Sequence, residues 1–157
     1  MVLPTKAHLA KWKMDGVNDK CPFCKKPENL NHVFIECPRT KPLWEYVSDL
    51  IGKITNKATP PVTLIEAVFN TIMKTQDPIQ TKLTRYLKTT ALTVIWNTRN
   101  AKLKETKIPE LKQELKRRIK ERIKADITNN NDHNVNNIWA YQNILIKVTG
   151  DKIIFTL

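Results

Sequence analysis

The chain has little glycine and no cluster of acidic residues, and both shortages limit the chemistry that it can perform. Only 3 of its 157 residues are glycine, so it has no Gly-rich loop to cradle a phosphate, and it has no nucleophile elbow. Metal-dependent nucleotidyl transfer needs carboxylates gathered around its ions, whereas the 15 acidic residues are scattered. His8 could act as a base in principle, but a lone histidine beside Leu9 is more often a packing residue. We therefore expect that the chain by itself is not an enzyme.

Long apolar runs are missing as well. No stretch reaches the roughly eighteen apolar residues that a membrane span requires, and the opening MVLPTKAHLAKWKMDG lacks the apolar core of a signal peptide. We expect no membrane partner and an intracellular location, in the nucleus or the cytoplasm. In such a reducing compartment, thiols bind metals more readily than they form disulfides.

Cysteine is equally scarce, and all 3 cysteines lie in the stretch CPFCKKPENLNHVFIECP. Together with one histidine they follow the spacing Cys21-x2-Cys24-x7-His32-x4-Cys37. Three thiolates and one imidazole can complete a tetrahedron, which predicts a structural Zn(II) site with no open position for chemistry. A disulfide would leave one cysteine unpaired and ignore the histidine. Burial in an ordinary core would not account for the absence of cysteine elsewhere.

The local geometry of this stretch can also be anticipated. Pro22 fixes φ between the first two cysteines and stiffens that turn. His32 and Cys37 lie five positions apart, which on an ideal α-helix leaves their side chains roughly 140° apart. We therefore expect a short helix with an irregular end, which Pro38 favours.

Hydrophobic periodicity predicts helices through most of the remaining sequence. Thr40 is an N-cap candidate for one helix, and Asp77 followed by Pro78 is a clear start signal for another. The closing NILIKVTGDKIIFTL predicts a β-hairpin, which must dock on the helices or on a partner to be stable. The positions expected to be buried are Leu3, Ala7, Ala10, Leu43, Val47, Leu50, Ile54, Leu64, Val68, Ile72, Leu83, Leu87, Val94 and Ile95.

The expected fold is mainly α: a helical domain with an N-terminal structural zinc module and a small C-terminal β-hairpin. A zinc-binding CCHC module with flanking helices is expected over residues 1–56, followed by a helical region ending in a basic helix over 57–127. An Asn-rich, mobile linker over 128–137 and the hairpin over 138–157 complete the expected organisation.

Basic residues outnumber acidic ones by 27 to 15, a formal net charge of +12. Such a surplus favours RNA or DNA as partner, because phosphate contacts and counterion release supply most non-specific affinity. A soluble basic domain, or the basic piece of a larger chain, fits the same composition. Lysines beside a zinc motif are also ordinary solubility residues. The candidate nucleic-acid contacts are Lys20, Lys25, Lys26, Arg39 and Lys41 around the zinc motif, and Lys116, Arg117, Arg118, Lys120 and Arg122 farther on.

The second group lies in IPELKQELKRRIKERIKADI, where basic residues flank a stripe of leucine and isoleucine. Between Ala101 and Lys124 the sequence has ten basic and four acidic residues. This helix could lie along a phosphate backbone, or its acids at 110, 114 and 121 could pair with lysines at helical spacing on a solvated face. It could also dock its apolar stripe on a partner protein. A membrane-surface helix is less favoured, because the stripe lacks tryptophan and phenylalanine. The stripe consists of Leu111, Leu115, Ile119 and Ile123.

The stretch LPTKAHLAKWKMDGVNDKCPFCKKPENLNHVFIECPRTKPLWEYV resembles the zinc-binding region that follows the polymerase domain in LINE-type (non-LTR) retrotransposon reverse transcriptases. Farther on, LTVIWNTRN is similar to a Trp-x-x-Arg-Asn-like helix of these proteins, and IWAYQNILIKVTGDKIIFTL resembles the C-terminal end of some of them. The retroviral nucleocapsid knuckle, with fewer residues before its histidine, fits less well. The shared features are the Leu-Pro-Thr opening, the CPxC turn, Glu28 before His32, Phe34, Cys37-Pro38 and Trp44.

The resemblance assigns the ligand roles to the same four residues, Cys21, Cys24, His32 and Cys37. It implies a module that holds template RNA or target DNA while a polymerase domain, on the same or another chain, carries out synthesis. Because the polymerase motifs are absent, it implies a non-catalytic fragment, a decayed copy or a domain adopted by the host. The hypothesis is a zinc-stabilised nucleic-acid-binding domain; the alternative is a zinc-stabilised protein–protein interaction module.

Overall fold

The computed structural model describes residues 4–12, 18–58, 62–68, 77–104, 106, 108–129, 134–150 and 152–157. Within them the chain is mainly helical, with a Cys/His cluster near its beginning and an antiparallel hairpin at its end, so the predicted fold class is confirmed. The elements are α1 (Lys6–Lys11), a first π-helical turn (His32–Glu36), α2 (Lys41–Thr55), α3 (Leu64–Val68), α4 (Pro78–Leu103), α5 (Leu111–Thr128), a second π-helical turn (Asn134–Trp139), a 3₁₀ turn (Tyr141–Asn143), β1 (Ile146–Thr149) and β2 (Lys152–Phe155).

Helix α4 is the central element, since it packs against α2, α3, α5 and both π-helical turns. It begins as predicted: Asp77 Oδ1 accepts hydrogen bonds from the backbone N–H groups of Ile79 at 2.7 Å and Gln80 at 3.4 Å. Pro78 occupies the first turn, where its missing N–H costs nothing. The four positions of α4 that the sequence places in the core are all buried, namely Leu83, Leu87, Val94 and Ile95.

Helix α2 follows the metal-binding residues directly. Thr40 precedes it as predicted, but the Thr40 hydroxyl makes no cap and donates instead to the carbonyls of Ile35 at 3.1 Å and Cys37 at 2.9 Å. This hydroxyl thereby ties the first π-helical turn to the start of α2. The predicted apolar stripe of α2 is buried, namely Leu43, Val47, Leu50 and Ile54.

Helix α5 buries the stripe whose role the sequence alone leaves open. The Glu110 carboxylate caps its N-terminus by accepting from the N–H groups of Lys112 and Gln113 at 3.0 and 2.9 Å. Helices α2 and α4 and the second π-helical turn pack against α5. The interpretation in which this stripe docks on a partner protein is therefore wrong, because the core of the same chain already covers it. The buried stripe is Leu111, Leu115, Ile119 and Ile123, each at most 4% exposed.

The C-terminal hairpin forms as predicted, with Ile146 opposite Phe155 across the two strands. Gly150 stands in the connecting turn with φ of +56°, which favours glycine because it has no side chain. The hairpin docks on the helices, since Leu145 and Ile146 are almost completely buried within the main hydrophobic cluster. Two strands alone are only marginally stable, so this packing is what holds them.

The structure differs from the sequence-based expectation at two places. The second π-helical turn begins inside the range expected to be a mobile linker (128–137), and Val135 is buried there against the core. Its apolar side chain packs in the core despite the asparagine-rich sequence around it. Val68 is expected in the core but is 49% exposed, because the buried face of α3 runs through Leu64 and Ala67, three residues apart. Of the other expected core positions, Leu3 and Ile72 lie outside the described residues, and Ala7 and Ala10 are half-buried.

No helix among the described residues combines the length and the apolar content needed to cross a membrane.

Candidate zinc centre and basic surface

The first two predicted ligands sit in a tight turn, within a segment that we call the zinc loop (residues 18–37). The Cys21 N–H donates to the Lys26 carbonyl at 2.8 Å, and the Lys25 N–H donates back to the Cys21 carbonyl at 3.0 Å. A β-bridge between Lys20 and Pro27 closes the base of this turn. The backbone alone therefore places Cys21 and Cys24 on the inside of one small loop.

The second pair of ligands comes from the first π-helical turn, and this turn resolves the spacing problem. The Cys37 N–H donates to the His32 carbonyl at 2.9 Å, a hydrogen bond that spans five residues. In such a widened turn, residues five apart come close to the same face, which an α-helix does not allow. Asn29 starts the turn, because its Oδ1 accepts from the His32 N–H at 2.8 Å. The predicted irregular helix is confirmed, and a π turn is its form.

The four side chains meet, with all of their donor atoms within 4.8 Å of one another. Cys24 Sγ lies 3.1 Å from His32 Nε2. These separations fit zinc, since metal–sulfur distances of about 2.3 Å in a tetrahedron put neighbouring ligand atoms about 3.8 Å apart. Cys21, His32 and Cys37 are buried and Cys24 is half-buried. Structural zinc is the cofactor that this cluster holds, with all four positions filled by protein.

Cys21 and Cys37 also affect each other's protonation. Cys21 and Cys37 share a hydrogen bond, which lowers the pKa of Cys21 and raises the pKa of Cys37 relative to their ordinary values. Burial acts to raise both pKa values, because it disfavours the charged thiolate. A divalent cation offsets that penalty by its own charge, so that all three sulfurs can be thiolates at once.

Beside the ligands, Glu28 forms a completely buried ion pair that sequence reasoning did not identify as a pair. Its Oε1 lies 2.5 Å from Arg99 Nη2, and the Glu28 and Arg99 side chains are 0% and 6% exposed. The same oxygen accepts from the Lys6 N–H at 2.8 Å, at the first residue of α1. Glu28 therefore joins α1, the zinc loop and the C-terminal end of α4. One signal in the sequence could have indicated this pair: Glu28 lies in the zinc motif and Arg99 lies in LTVIWNTRN, and both stretches resemble known motifs.

Aromatic residues reinforce this junction. Phe34, from the first π-helical turn, stacks on Trp96 of α4 with centroids 6.0 Å apart. The Arg99 guanidinium lies over the same Trp96 ring, 5.0 Å from its centroid. From α2, Trp44 Nε1 donates to the Phe34 carbonyl at 2.5 Å. The zinc loop is thus packed into the helical domain on two sides.

Arg39, a predicted nucleic-acid contact, is engaged within the protein. Its Nη2 donates to the Pro109 carbonyl at 2.8 Å, and its guanidinium lies 4.2 Å from the centroid of the Phe23 ring. Burial lowers its pKa below the ordinary arginine value. Since Pro109 comes just before the cap of α5, Arg39 links the zinc loop to the beginning of the basic helix.

The arginines of α5 are also engaged, by acidic residues of the same helix. Arg117 pairs with Glu114 at 2.7 Å and with Glu121, and Arg118 pairs with Glu114 at 2.8 Å. Arg122 Nη2 lies 3.3 Å from Asp126 Oδ1. The acids at 114 and 121 therefore do pair within the helix, but with arginines and not with the lysines that were expected.

The lysines of α5 behave differently. Lys112 and Lys116 lie over the ring of Tyr46 from α2, with Nζ 4.7 and 5.3 Å from the ring centroid. Lys120 lies 5.6 Å from the centroid of the Phe155 ring in β2. Within the part of the chain that the structure describes, no carboxylate lies within ion-pair distance of these three ammonium groups. We call Lys112, Lys116 and Lys120 the lysine stripe. In the sequence, Lys112 is one of the basic residues that flank the apolar stripe, but it is not among the candidate contacts, although its spacing of four from Lys116 is visible.

Around the zinc loop, the remaining predicted contacts are exposed, namely Lys20, Lys25, Lys26 and Lys41. Among the described residues none of them has an acidic group within ion-pair distance. The structure thus separates the ten predicted contacts into six exposed or ring-bound lysines and four arginines that other groups of the protein already hold.

Comparison with known proteins identifies the zinc loop. Residues 2–44 match a family model described as zinc-binding in reverse transcriptase. No curated protein and no solved structure matches the chain significantly. The matched range contains all four clustered ligands. Residues 2–44 are therefore similar to the zinc-binding region of reverse transcriptases, and the four clustered ligands fit one structural zinc ion.

Proposed function

We propose that this chain is a zinc-stabilised module that binds RNA or DNA without catalysis of its own, resembling the C-terminal part of a LINE-type reverse transcriptase. Zinc has an architectural role in this proposal, because a site with four protein ligands leaves no position for a reacting group. A polymerase domain, on the same or another chain, is the proposed partner that would carry out synthesis.

The partition of positive charge is the observation that carries the proposal. The net charge is +12, yet the arginines of α5 are neutralised within their own helix. The surplus that can meet an outside anion therefore lies mainly on lysines, and the zinc loop and α5 each present several of them. Arg39 brings these two surfaces together through its bond to Pro109. When lysine ammonium groups at such a surface contact phosphates, the counterions held by the nucleic acid are released, and this release favours binding.

The zinc loop supplies rigidity to this surface. A small cavity between the loop and α4 is lined by Cys21, Cys37 and Arg39 and also by Leu111, the first residue of α5. Metal ligands and the start of the basic helix therefore share one packed region. Loss of zinc is expected to disorganise the lysines on both sides of it.

The proposal is tested by measuring how the whole, zinc-loaded chain binds single-stranded RNA, single-stranded DNA and duplex DNA by filter binding between about 50 and about 200 mM salt. We expect the logarithm of the binding constant to fall linearly with the logarithm of salt concentration, with a slope that counts phosphate contacts. Absence of binding to all three nucleic acids at the lowest salt would overturn the proposal. Such a result would favour the protein-interaction alternative, which would then need a surface other than the buried stripe of α5.

A further inference from the structure

The lysine stripe has a regular geometry. Lys112, Lys116 and Lys120 follow one another at intervals of four residues on α5. Each interval is a rise of about 6 Å along the helix axis, so the stripe spans about 12 Å on one side of α5. Successive phosphates along a single nucleic-acid strand are separated by a comparable distance. The stripe can therefore meet consecutive phosphates of one strand.

Two aromatic rings from other elements lie beneath the lysine stripe. Tyr46 comes from α2 and Phe155 from β2, and both side chains are half-buried against the main hydrophobic cluster. Their rings are therefore held in place while part of each remains accessible. Phe155 is fixed further by its pairing with Ile146 in the hairpin. The ammonium groups above the rings are the mobile partners, since lysine has a flexible four-carbon stem.

From this juxtaposition we infer that the lysine stripe, with Tyr46 and Phe155, binds single-stranded nucleic acid: the lysines contact its phosphates and the two rings stack on its bases. The inference rests on the proposed function and specifies the kind of nucleic acid. Proteins that bind single strands combine a positive track for the backbone with aromatic rings on which bases stack. When the lysines move onto phosphates, the ring faces that they cover become accessible to bases.

Duplex nucleic acid uses this surface less well. In a duplex the bases are stacked on each other, so the rings of Tyr46 and Phe155 have no free base face to contact. The lysines can still attract the duplex backbone, but the aromatic contribution is lost. The stripe therefore favours a single strand over a duplex of equal charge density.

The first test removes the charge of the stripe in the whole chain. In K112Q/K116Q/K120Q we expect the slope of log binding constant against log salt for a single strand to fall by about two, because each lost contact contributes about 0.7. The matched control is K57Q/K82Q/K102Q, which removes equal charge from exposed lysines on α4 and after α2 instead of on α5. The control is expected to change the slope by less than half as much, and equal changes in the two variants would overturn the inference.

The second test removes the ring faces. We expect Tyr46→Leu to weaken single-strand binding roughly five- to hundred-fold, the range for loss of one stacked base, and to leave duplex binding unchanged. Tyr46→Phe is the control, because the buried Tyr46 hydroxyl has no hydrogen-bond partner among the described residues and the ring remains. Phe155→Leu is expected to behave as Tyr46→Leu does. Equal losses for single strand and duplex would overturn the stacking role.

Ultraviolet crosslinking of the unmodified chain to single-stranded DNA, followed by mass spectrometry, gives a readout that needs no variant. We expect crosslinked peptides that contain Tyr46 or Phe155. Crosslinks confined to other aromatic residues would overturn the inference. If the wild-type chain binds no nucleic acid at all, the proposed function fails; if it binds with the stripe variants indistinguishable from the controls, only this inference fails.

Discussion

The zinc loop and the C-terminal segment (the described residues from 134 to 157) hold opposite ends of α4 by different means. At the C-terminal end of α4, the zinc loop supplies Glu28 to Arg99 in a fully buried ion pair. At the N-terminal end, the C-terminal segment supplies the Tyr141 hydroxyl, which donates to Asp77 Oδ2 at 2.7 Å. The first junction depends on a metal and on buried charge. The second depends on apolar packing, with polar contacts that are partly exposed.

This difference predicts how the two junctions fail. A buried ion pair is weak evidence of net stability but is costly to break from one side, because one charge remains in the core without its partner. Partly exposed hydrogen bonds contribute less, since water replaces a lost partner. The zinc loop should therefore be intolerant of single substitutions, and the C-terminal segment should weaken gradually.

The largest effect is expected from Cys24→Ser, which removes a metal ligand. Structural zinc contributes on the order of 10 kcal/mol to the folding of isolated modules, so we expect zinc to be lost and the zinc loop with α1 to unfold. Zinc content and circular dichroism measure this. Lys26→Ser, in the same turn but without a ligand atom, is the control and should retain both. Near-stoichiometric zinc with an unchanged spectrum in Cys24→Ser would contradict the assignment.

A smaller but still large effect is expected from Glu28→Gln, which leaves the Arg99 guanidinium buried without a counter-charge. We expect the free energy of unfolding in urea to fall by about 3–5 kcal/mol. Replacing both partners, as Glu28→Gln with Arg99→Met, should recover part of that loss. The control is Asp49→Asn, which breaks the exposed pair with Lys53 at 2.8 Å and should cost at most about 1 kcal/mol. Equal losses of unfolding free energy in Glu28→Gln and Asp49→Asn would show that the buried pair is no more costly to break than the exposed pair.

The C-terminal segment also contacts α5, and there Trp139→Phe removes the hydrogen bond from Trp139 Nε1 to Asp126 Oδ2, which is 2.7 Å long and buried. We expect a loss of about 1–3 kcal/mol in the free energy of unfolding, because the buried Asp126 carboxylate loses one of its donors and water cannot easily replace it. Hydrogen exchange should show faster opening of the hairpin, while zinc content stays unchanged. A loss as large as that of Glu28→Gln would contradict the expected difference between the zinc loop and the C-terminal segment.

The smallest effect concerns pH. The hydrogen bond from Tyr141 lowers the pKa of Asp77, with further help from the backbone N–H groups of Ile79 and Gln80. The carboxylate therefore stabilises the fold at pH values above the ordinary aspartate pKa of about 3.9, and this stabilisation is lost as the pH falls through the lower, folded-state pKa. In Tyr141→Phe the melting temperature should fall less between about pH 5 and about pH 3 than in the wild type. Parallel curves for the two proteins would show that Tyr141 does not set this pKa.

Local patterns in the sequence are sufficient to predict the helices and the metal ligands. The start of α4 at Asp77 and Pro78 could be predicted because a cap and a proline act on their immediate neighbours. The zinc ligands could be predicted because three cysteines and a histidine at this spacing are typical of a metal site and of little else. Both conclusions rest on interactions within a few tens of residues.

Pairings between distant residues could not be predicted in the same way. Glu28 and Arg99 are 71 positions apart, and no local pattern says that two charged side chains will be buried together. The basic helix shows the same limit, since sequence could not separate the paired Arg117 from the ring-bound Lys116. Glu114 is only three residues from Arg117, but Tyr46 reaches Lys116 from another helix, and that contact is visible only in three dimensions.

The buried carboxylate of Glu28 also affects how far the protein can be shortened without losing stability. The range that matches the reverse-transcriptase zinc region ends at residue 44, but the partner of Glu28 lies at residue 99. A shorter chain that ends near residue 44 or 56 would leave that charge unpaired and would uncover the Phe34 ring that now rests on Trp96. We therefore expect a piece that ends at the boundary defined by sequence similarity to be less stable than one that extends through the end of α4.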